Sequence, residues 1–179
     1  MTLEVESVDL PVCRKIIQNA WVVKNVEEAC LRWARDMGVG PFFINEFDMD
    51  VFEYLDYRGE PSELRLKVGV AHAGNVQIEL IESTTRKSAY RDLVPEGSSG
   101  FHHMCVSTLD FEADRNYFEA LGYVSATRGR MGDLEFAYYD TRTLFGCMFE
   151  VVTRTKEFEE RYEMIALSAR SWDGKDPVR

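Results

Sequence analysis

Along this chain the spacing of apolar residues switches repeatedly between the period of a strand and that of a helix. Residues 18–23 (QNAWVV) form a short apolar run of strand-like composition. Asn25 then stands where a helix N-cap would stand. Over residues 26–37, Ala29, Trp33 and Met37 recur four apart, with Cys30 and Ala34 on the same face. This predicts a one-stripe helix, ended by Gly38 and Gly40, because glycine takes up the left-handed turn at a helix end without a Cβ penalty. The order recurs later. Residues 103–106 (HMCV) read as a strand and Asp110 as a cap. Residues 111–121 read as a helix with Phe111, Ala113, Phe118 and Leu121 apolar, and Gly122 as its end. Two strand–helix–glycine units of nearly equal length point to an internal repeat.

Each unit continues as β-structure. In the first, residues 51–57 and 64–70 carry aromatic and β-branched residues on either side of the turn-like stretch 58–62, and residues 76–81 follow the turn pair Gly74 and Asn75. In the second, the predicted strands are 123–128, 134–139 and 147–152, with a turn over 129–132. The fold expected is α+β: two tandem βαβββ modules forming a curved mixed sheet around a cleft, plus a C-terminal helix. The predicted layout is an N-terminal extension (1–15), a first module (16–83), a polar linker (84–100), a second module (101–153), and a helix and tail (154–179). Within the tail, Phe158, Tyr162, Ile165 and Ala169 share one helical face over residues 157–170. The helix and the extended end beyond Trp172 are expected to cover a sheet edge or meet a second subunit. A place for Trp172 or Arg179 over a substrate is the weaker alternative.

Composition narrows the partners. The chain has 179 residues, enough to bury one core. Its formal net charge of −10 repels nucleic acid and anionic membranes. No apolar run reaches the roughly 18–20 residues of a membrane helix. The acidic start, with Glu4, Glu6 and Asp9, lacks the basic region of a signal peptide. A cytoplasmic location is expected, with Cys13, Cys30, Cys105 and Cys147 as reduced thiols rather than disulfides.

Four polar residues stand in repeat-equivalent places. Gln18 and His103 open the two units. Glu79 and Glu150 sit near their ends, within QIELI (77–81) and MFEVV (148–152). A carboxylate among large apolar residues is costly to bury unless it is paired or binds a cation. Alternation on a half-solvated strand explains such residues singly; their repetition favours inward-facing groups around a cavity. An imidazole nitrogen, an amide oxygen and two carboxylates would suit a divalent ion such as Zn, Ni, Co, Mn or Mg.

The ordered set QNAWVVKNVEEA (18–29), QIELI (77–81), GFHHMCV (100–106) and GCMFEVV (146–152) resembles the vicinal oxygen chelate superfamily. That family includes glyoxalase I, methylmalonyl-CoA epimerase, extradiol dioxygenases and bleomycin-resistance proteins. The resemblance spans residues 16–152. It implies that Gln18, Glu79, His103 and Glu150 are metal ligands, His103 rather than His102 being the family match. Gln18 resembles the glutamine of some glyoxalase I proteins where other members carry histidine. The resemblance further implies one divalent metal ion and a small-molecule carbonyl substrate. The metal would polarise the carbonyl, and Glu79 or Glu150 would remove an α-proton by way of an enolate or enediolate, giving a lyase, isomerase or epimerase. A homodimer is expected, since the family closes its sites either within one chain or across two.

Two other functions compete. Members of the family sequester drugs in the same cleft without metal, and a binding protein of that kind need not keep four ligands. An extradiol-type dioxygenase would call for two histidines and one carboxylate, where this chain offers one histidine and Gln18. An acyl-CoA substrate finds no basic cluster for its phosphates. Glu46, Glu53 and Tyr54 are minor candidates for the site. His72 reads as a surface turn residue, and Arg58 and Arg65 as a solvated face that would alternatively grip a substrate anion. Phe42, Phe43, Phe47, Phe52, Tyr54 and Tyr57 read as core before pocket; as a pocket they would favour a hydrophobic carbonyl compound.

Overall fold

Residues 14–179 are described by the computed structural model. The expectations for an N-terminal extension, for the absence of a signal peptide and for Cys13 fall on residues outside these. The helix signals read from the sequence are realised closely. Helix α1 (Val26–Met37) is capped by the Asn25 side chain, which accepts from the Glu28 N–H at 2.8 Å. It ends at Gly38, at φ +65°, whose N–H reaches the Ala34 carbonyl. Helix α3 (Phe111–Ala120) is capped by Asp110 in the same way. Among the described residues no helix is long and apolar enough to cross a membrane.

The strands are β1 (Ile16–Val22), β2 (Phe43–Phe47), β3 (Tyr54–Tyr57), β4 (Glu60–Pro61), β5 (Leu66–Ala73), β6 (Val76–Ser83), β7 (Gly100–Thr108), β8 (Ser125–Met131), β9 (Leu134–Tyr139) and β10 (Met148–Thr153). They make one mixed, curled sheet in the order β2-β5-β6-β1-β7-β10-β9-β8-β3-β4. The halves meet where β1 pairs antiparallel with β7. Beside this seam β6 runs parallel to β1 and β10 parallel to β7, so the two halves mirror each other. On the outer face α1 packs through Val26 and Cys30 against Ala71, Ile78 and Leu80. Helix α3 packs through Phe111 and Phe118 against Tyr139, Phe149 and Val151. The inner face gathers residues from distant strands, Ile17, Leu55, Val68, Phe136 and Val152, into one cluster. Only a curled sheet brings them together.

Several elements differ from the reading of the sequence. The strand that follows α1 is Phe43–Phe47, which the sequence pattern hid because Phe42, Phe43, Ile44 and Phe47 break strict alternation. The stretch expected as that strand is instead a short 3-10 turn (Met49–Val51) followed by β3. Strand β3 crosses to the far side of the sheet and pairs with β8, Leu55 facing Gly129. Gly129 was read as a turn residue. It lies within β8, and its lack of a side chain leaves room for the Phe136 ring and for Leu55 Cδ1, which would stand 3.1 Å from an added Cβ. His72, read as a surface turn residue, is a buried member of β5, 5% exposed, edge-on to the Tyr162 ring. The linker carries a short helix, α2 (Ala89–Leu93), and a second short helix, α4 (Arg142–Phe145), precedes β10. Cys30, Cys105 and Cys147 are buried free thiols, as expected.

The C-terminal helix α5 (Lys156–Arg170) does not cover an edge. It lies over the inner face, with Ile165 and Ala166 buried and the Tyr162 hydroxyl donating to the Ile17 carbonyl at 2.9 Å. The tail beyond it is the edge cover. The Phe42 and Ile44 N–H groups donate to the carbonyls of Pro177 and Arg179, and the Arg179 N–H donates to the Phe42 carbonyl. Trp172 packs on Gly40, where an added Cβ would meet its ring at 2.9 Å. Both Trp172 and Arg179 are thus structural.

Overpacking at Gly129 tests the inner wall. Gly129→Ala is expected to lower stability by about 1–3 kcal/mol in urea unfolding. An unchanged midpoint would mean that Phe136 moves aside freely and that this wall is soft.

Candidate active site

The strand registers set two rows of side chains across the seam. One row runs Gln77, Gln18, Cys105, Glu150 over β6, β1, β7 and β10; the next runs Glu79, Ala20, His103, Met148. Side chains in register across a sheet share a face, so both rows belong to the inner side. The repeat relates them: Gln18 and Glu150 in one row correspond to His103 and Glu79 in the other. Three of the four residues singled out in the sequence meet. His103 Nε2 lies 3.1 Å from a Glu150 oxygen and 3.4 Å from a Glu79 oxygen. His103 is fully buried, and the Glu79 and Glu150 side chains are only 16% and 10% exposed. Gln18 lines a cavity with Glu79 and Glu150 but donates its amide N–H to Gln77 Oε1 at 2.7 Å, leaving its own oxygen uncommitted among the described residues.

His102 was passed over in the sequence in favour of His103, which directly precedes the apolar strand run. Here the register slips: Ala20 faces His103 while Trp21 faces Phe101, so His102 is the extra residue of a β-bulge. Both histidines are fully buried. Their Nδ1 atoms are 2.9 Å apart, and His102 Nε2 is 3.1 Å from the Ala89 carbonyl oxygen. A carbonyl only accepts, so His102 Nε2 carries the proton and neutral His102 offers Nδ1 as an acceptor. The short contact then requires a proton on His103 Nδ1. The tautomers, assigned in this way from the acceptor, leave the lone pair of a neutral His103 on Nε2, between the two carboxylates. Among the described residues that nitrogen makes no well-aligned hydrogen bond in spite of its burial.

Electrostatics follow from the same geometry. Burial alone would depress His103, but Glu150 and Glu79 override it and hold its pKa up at about 9. Burial raises Glu79; His103 opposes the rise and Glu150 adds to it. Burial and the neighbouring His103 push His102 down to about 3, so it stays neutral and keeps its accepting nitrogen.

Helix α2 holds the Ala89 carbonyl in place and is itself pinned. Arg58 bridges Asp92 at 2.6 Å and Asp140 at 2.9 Å, Tyr57 donates to Asp92, and Arg142 donates to the Asp92 carbonyl. Arg58 is therefore committed to structure. Arg65, paired with Asp48, lies on the surface, as do Glu46, paired with Lys67, and Glu53, near Arg130. Tyr54 is half-exposed and donates to Asp56. None of these minor candidates lines the cavities beside Glu79 and Glu150.

Two such cavities open on those carboxylates. One, about 180 Å³, lies under α5 and is lined by Gln18, Gln77, Arg161 and Tyr162. The other, about 110 Å³, is walled by Phe47, Phe52, Leu64 and Phe136 and is also lined by Tyr90 and Tyr138. Sequence reasoning missed Gln77, although it lies two residues before Glu79 and therefore on the same strand face. It also missed Tyr138, which continues the inward series Leu134, Phe136, and Tyr90, which sits in the stretch read as linker.

The family profile described as Glyoxalase/Bleomycin resistance protein/Dioxygenase superfamily matches residues 17–138. The chain belongs to this superfamily. Solved structures share the superfamily fold at low identity. A variant of the methylmalonyl-CoA epimerase of Streptomyces coelicolor, in complex with 2-nitronate-propionyl-CoA, superposes with a TM-score of 0.55 at 16% identity, over 79% of this chain and 97% of that one. The methylmalonyl-CoA epimerase of Mycobacterium tuberculosis gives 0.56 at 14% identity, over 81% and 91%. A hypothetical protein of Bacillus halodurans gives 0.56 at 13% identity, over 80% and 96%. No curated protein matches the sequence.

Superfamily members commonly hold a divalent metal, and the donors here can be tested against one. With bonds of about 2.0–2.2 Å, ligand atoms around one ion stand roughly 2.8–3.6 Å apart. The His103–carboxylate separations fall in that range, and the orphaned Nε2 is the atom an ion would satisfy. Among the described residues no three such side chains are closed around a common centre, so binding requires the carboxylates and Gln18 to turn inward.

The buried histidine makes metal-free stability depend on pH. The folded pKa of His103, about 9, exceeds the ordinary 6.5. The contribution is complete below pH 6.5 and lost as pH rises through 9, an effect on the order of a few kcal/mol. Denaturant titrations with chelator between pH 6 and 10 should show the decline, and His103→Gln should flatten it. An equally steep decline in the variant would assign it elsewhere.

Proposed function

We propose that this protein is a metal-dependent lyase, isomerase or epimerase that removes a proton next to a substrate carbonyl. The observation that carries the reading is His103 Nε2, buried, unsatisfied and held between Glu79 and Glu150. Glu79, His103 and Glu150, with the oxygen of Gln18, would hold the ion. When bound, a divalent metal supplies Lewis-acid polarisation of the carbonyl and so acidifies the adjacent C–H. Glu79 serves as the base, because burial raises its proton affinity toward the working pH. Glu150, closer to His103, stays as its partner. The Ala89–His102–His103 chain keeps the imidazole in one tautomer through the cycle, and apolar walls exclude water from the proton in transit.

A metal-free binding protein is the second reading, and one observation favours it. A protonated His103 balances one of the two carboxylate charges, and burial favours the neutral form of Glu79, so the group needs no cation. The dioxygenase reading weakens instead. Both nitrogens of His102 are engaged, by Ala89 and His103, so it cannot serve as a second imidazole ligand, and the first strand offers Gln18.

Protein prepared without chelator or nickel affinity is expected to carry about one Zn, Ni, Co or Mn per chain, and His103→Ala and Glu150→Ala to lose it. It should exchange solvent deuterium into aldehydes, ketones or thioesters, and Glu79→Gln should slow that exchange by about 10²–10⁴-fold. Folded wild-type protein that binds no metal after re-addition would overturn this reading in favour of sequestration. Iron with oxygen uptake on a catechol would restore the dioxygenase.

A further inference from the structure

The smaller cavity has a polar feature that the chemistry above does not use. Of the fourteen residues lining it, Glu79 and Glu150 form one polar group, Tyr90 and Tyr138 form the other, and the remainder are apolar. Both tyrosines are buried, and their hydroxyls are 3.1 Å apart. Two hydroxyls carry two protons, yet the pair shares a single hydrogen bond. Whichever oxygen donates within it, the other O–H proton has no acceptor among the described residues. A buried donor beside an apolar cavity is a place for an oxygen of a bound molecule.

We infer that the Tyr90–Tyr138 hydroxyl pair receives the carbonyl oxygen of the substrate, and that the substrate is a carbonyl compound with an apolar alkyl or aryl body. Burial keeps both hydroxyls protonated, their pKa values pushed well above the ordinary phenol value, so they act as donors throughout. The apolar body fits against Phe47, Phe52, Leu64 and Phe136, where a second charged group would go unpaired. Tyr138 lies beside His103, ring to ring at 4.9 Å, and His103 lies beside both carboxylates, so an oxygen held by the tyrosines sets the adjacent α-carbon near Glu79, which lines the same cavity. As negative charge grows on the oxygen, the hydrogen bond from tyrosine strengthens, which is the behaviour that lowers a barrier. The α-proton goes to the Glu79 carboxylate and its electron pair to the carbonyl oxygen, one lone pair of which takes the tyrosine hydrogen bond while the other stays open to the cation of the proposed function; returning the proton to carbon restores the carbonyl, so atoms and electrons balance without a co-reactant. The assignment of an α-carbon rests on the proton-transfer reading above. The binding part stands apart from it.

The two hydroxyls make a distinctive prediction. Removing one frees the other, which still donates to a ligand. Binding of acetophenone and of its isostere α-methylstyrene, with =CH2 in place of the oxygen, is measured by ligand-observed NMR titration. Wild type should prefer acetophenone by roughly three- to tenfold. Tyr90→Phe and Tyr138→Phe should each keep that preference to within about twofold, and the double variant should lose it with α-methylstyrene binding unchanged. No preference in wild type, loss of the whole preference in one single variant, or equal loss of both ligands in the double variant would overturn the inference. Glu79→Gln separates the two readings: acetophenone binding with its preference should persist while any deuterium exchange into the methyl group falls. Preference without exchange in wild type would sink the proton-transfer reading and leave the tyrosine site standing.

Discussion

The antiparallel pairing of β1 with β7 is the constraint on which the rest of the molecule depends. Each half alone offers one polar residue in its first strand and one carboxylate in its last. The seam sets those four strands side by side, so that Gln77, Gln18, Cys105 and Glu150 form one row and Glu79, Ala20, His103 and Met148 the next. A slip of one residue would turn every one of these side chains to the opposite face. The small side chain of Ala20, fully buried opposite His103, leaves space beside the imidazole.

Burying a histidine and two carboxylates carries a large desolvation cost, and the surroundings offset it piece by piece. The charges lie next to one another. The far nitrogen of His103 is satisfied by His102, and that residue by a backbone carbonyl on α2. Helix α2 is fixed in turn by an arginine–aspartate network at the surface. A chain of dependence thus runs from the exposed side of the molecule to its most buried atoms. The tyrosine pair stands at the edge of this polar centre, where the cavity becomes apolar.

Much of this was legible in the sequence for physical reasons that are easy to name. Caps act locally, so Asn25, Gly38 and Asp110 announced their helices without help from tertiary structure. The repeat matched Gln18 with His103 and Glu79 with Glu150, and costly residues in matching positions ask for a common cause. What escaped reading depended on distant partners. His102 is inside because of a bulge, and a bulge is a property of two strands. The residues of β3 have strand composition, but nothing local says that their neighbour is β8. His72 is apolar in its surroundings only because α5 folds back over it and sets Tyr162 against its ring. Tyr90 lies in a stretch whose polarity concealed a helix facing the cavity.

The crossing of β3 gives the molecule an order of assembly. Strand β3 emerges in the first half of the chain, and its partner β8 in the second. During synthesis it has only the two-residue β4 beside it, and closing so long a loop delays its pairing with β8 relative to the local hairpin of β5 and β6. Phe52 and Leu64 flank this segment and wall the smaller cavity. The pocket is therefore among the last parts of the protein to exist, completed only when nearly the whole chain has left the ribosome. A nascent chain halted before β8 would own Glu79 and have nothing to enclose it.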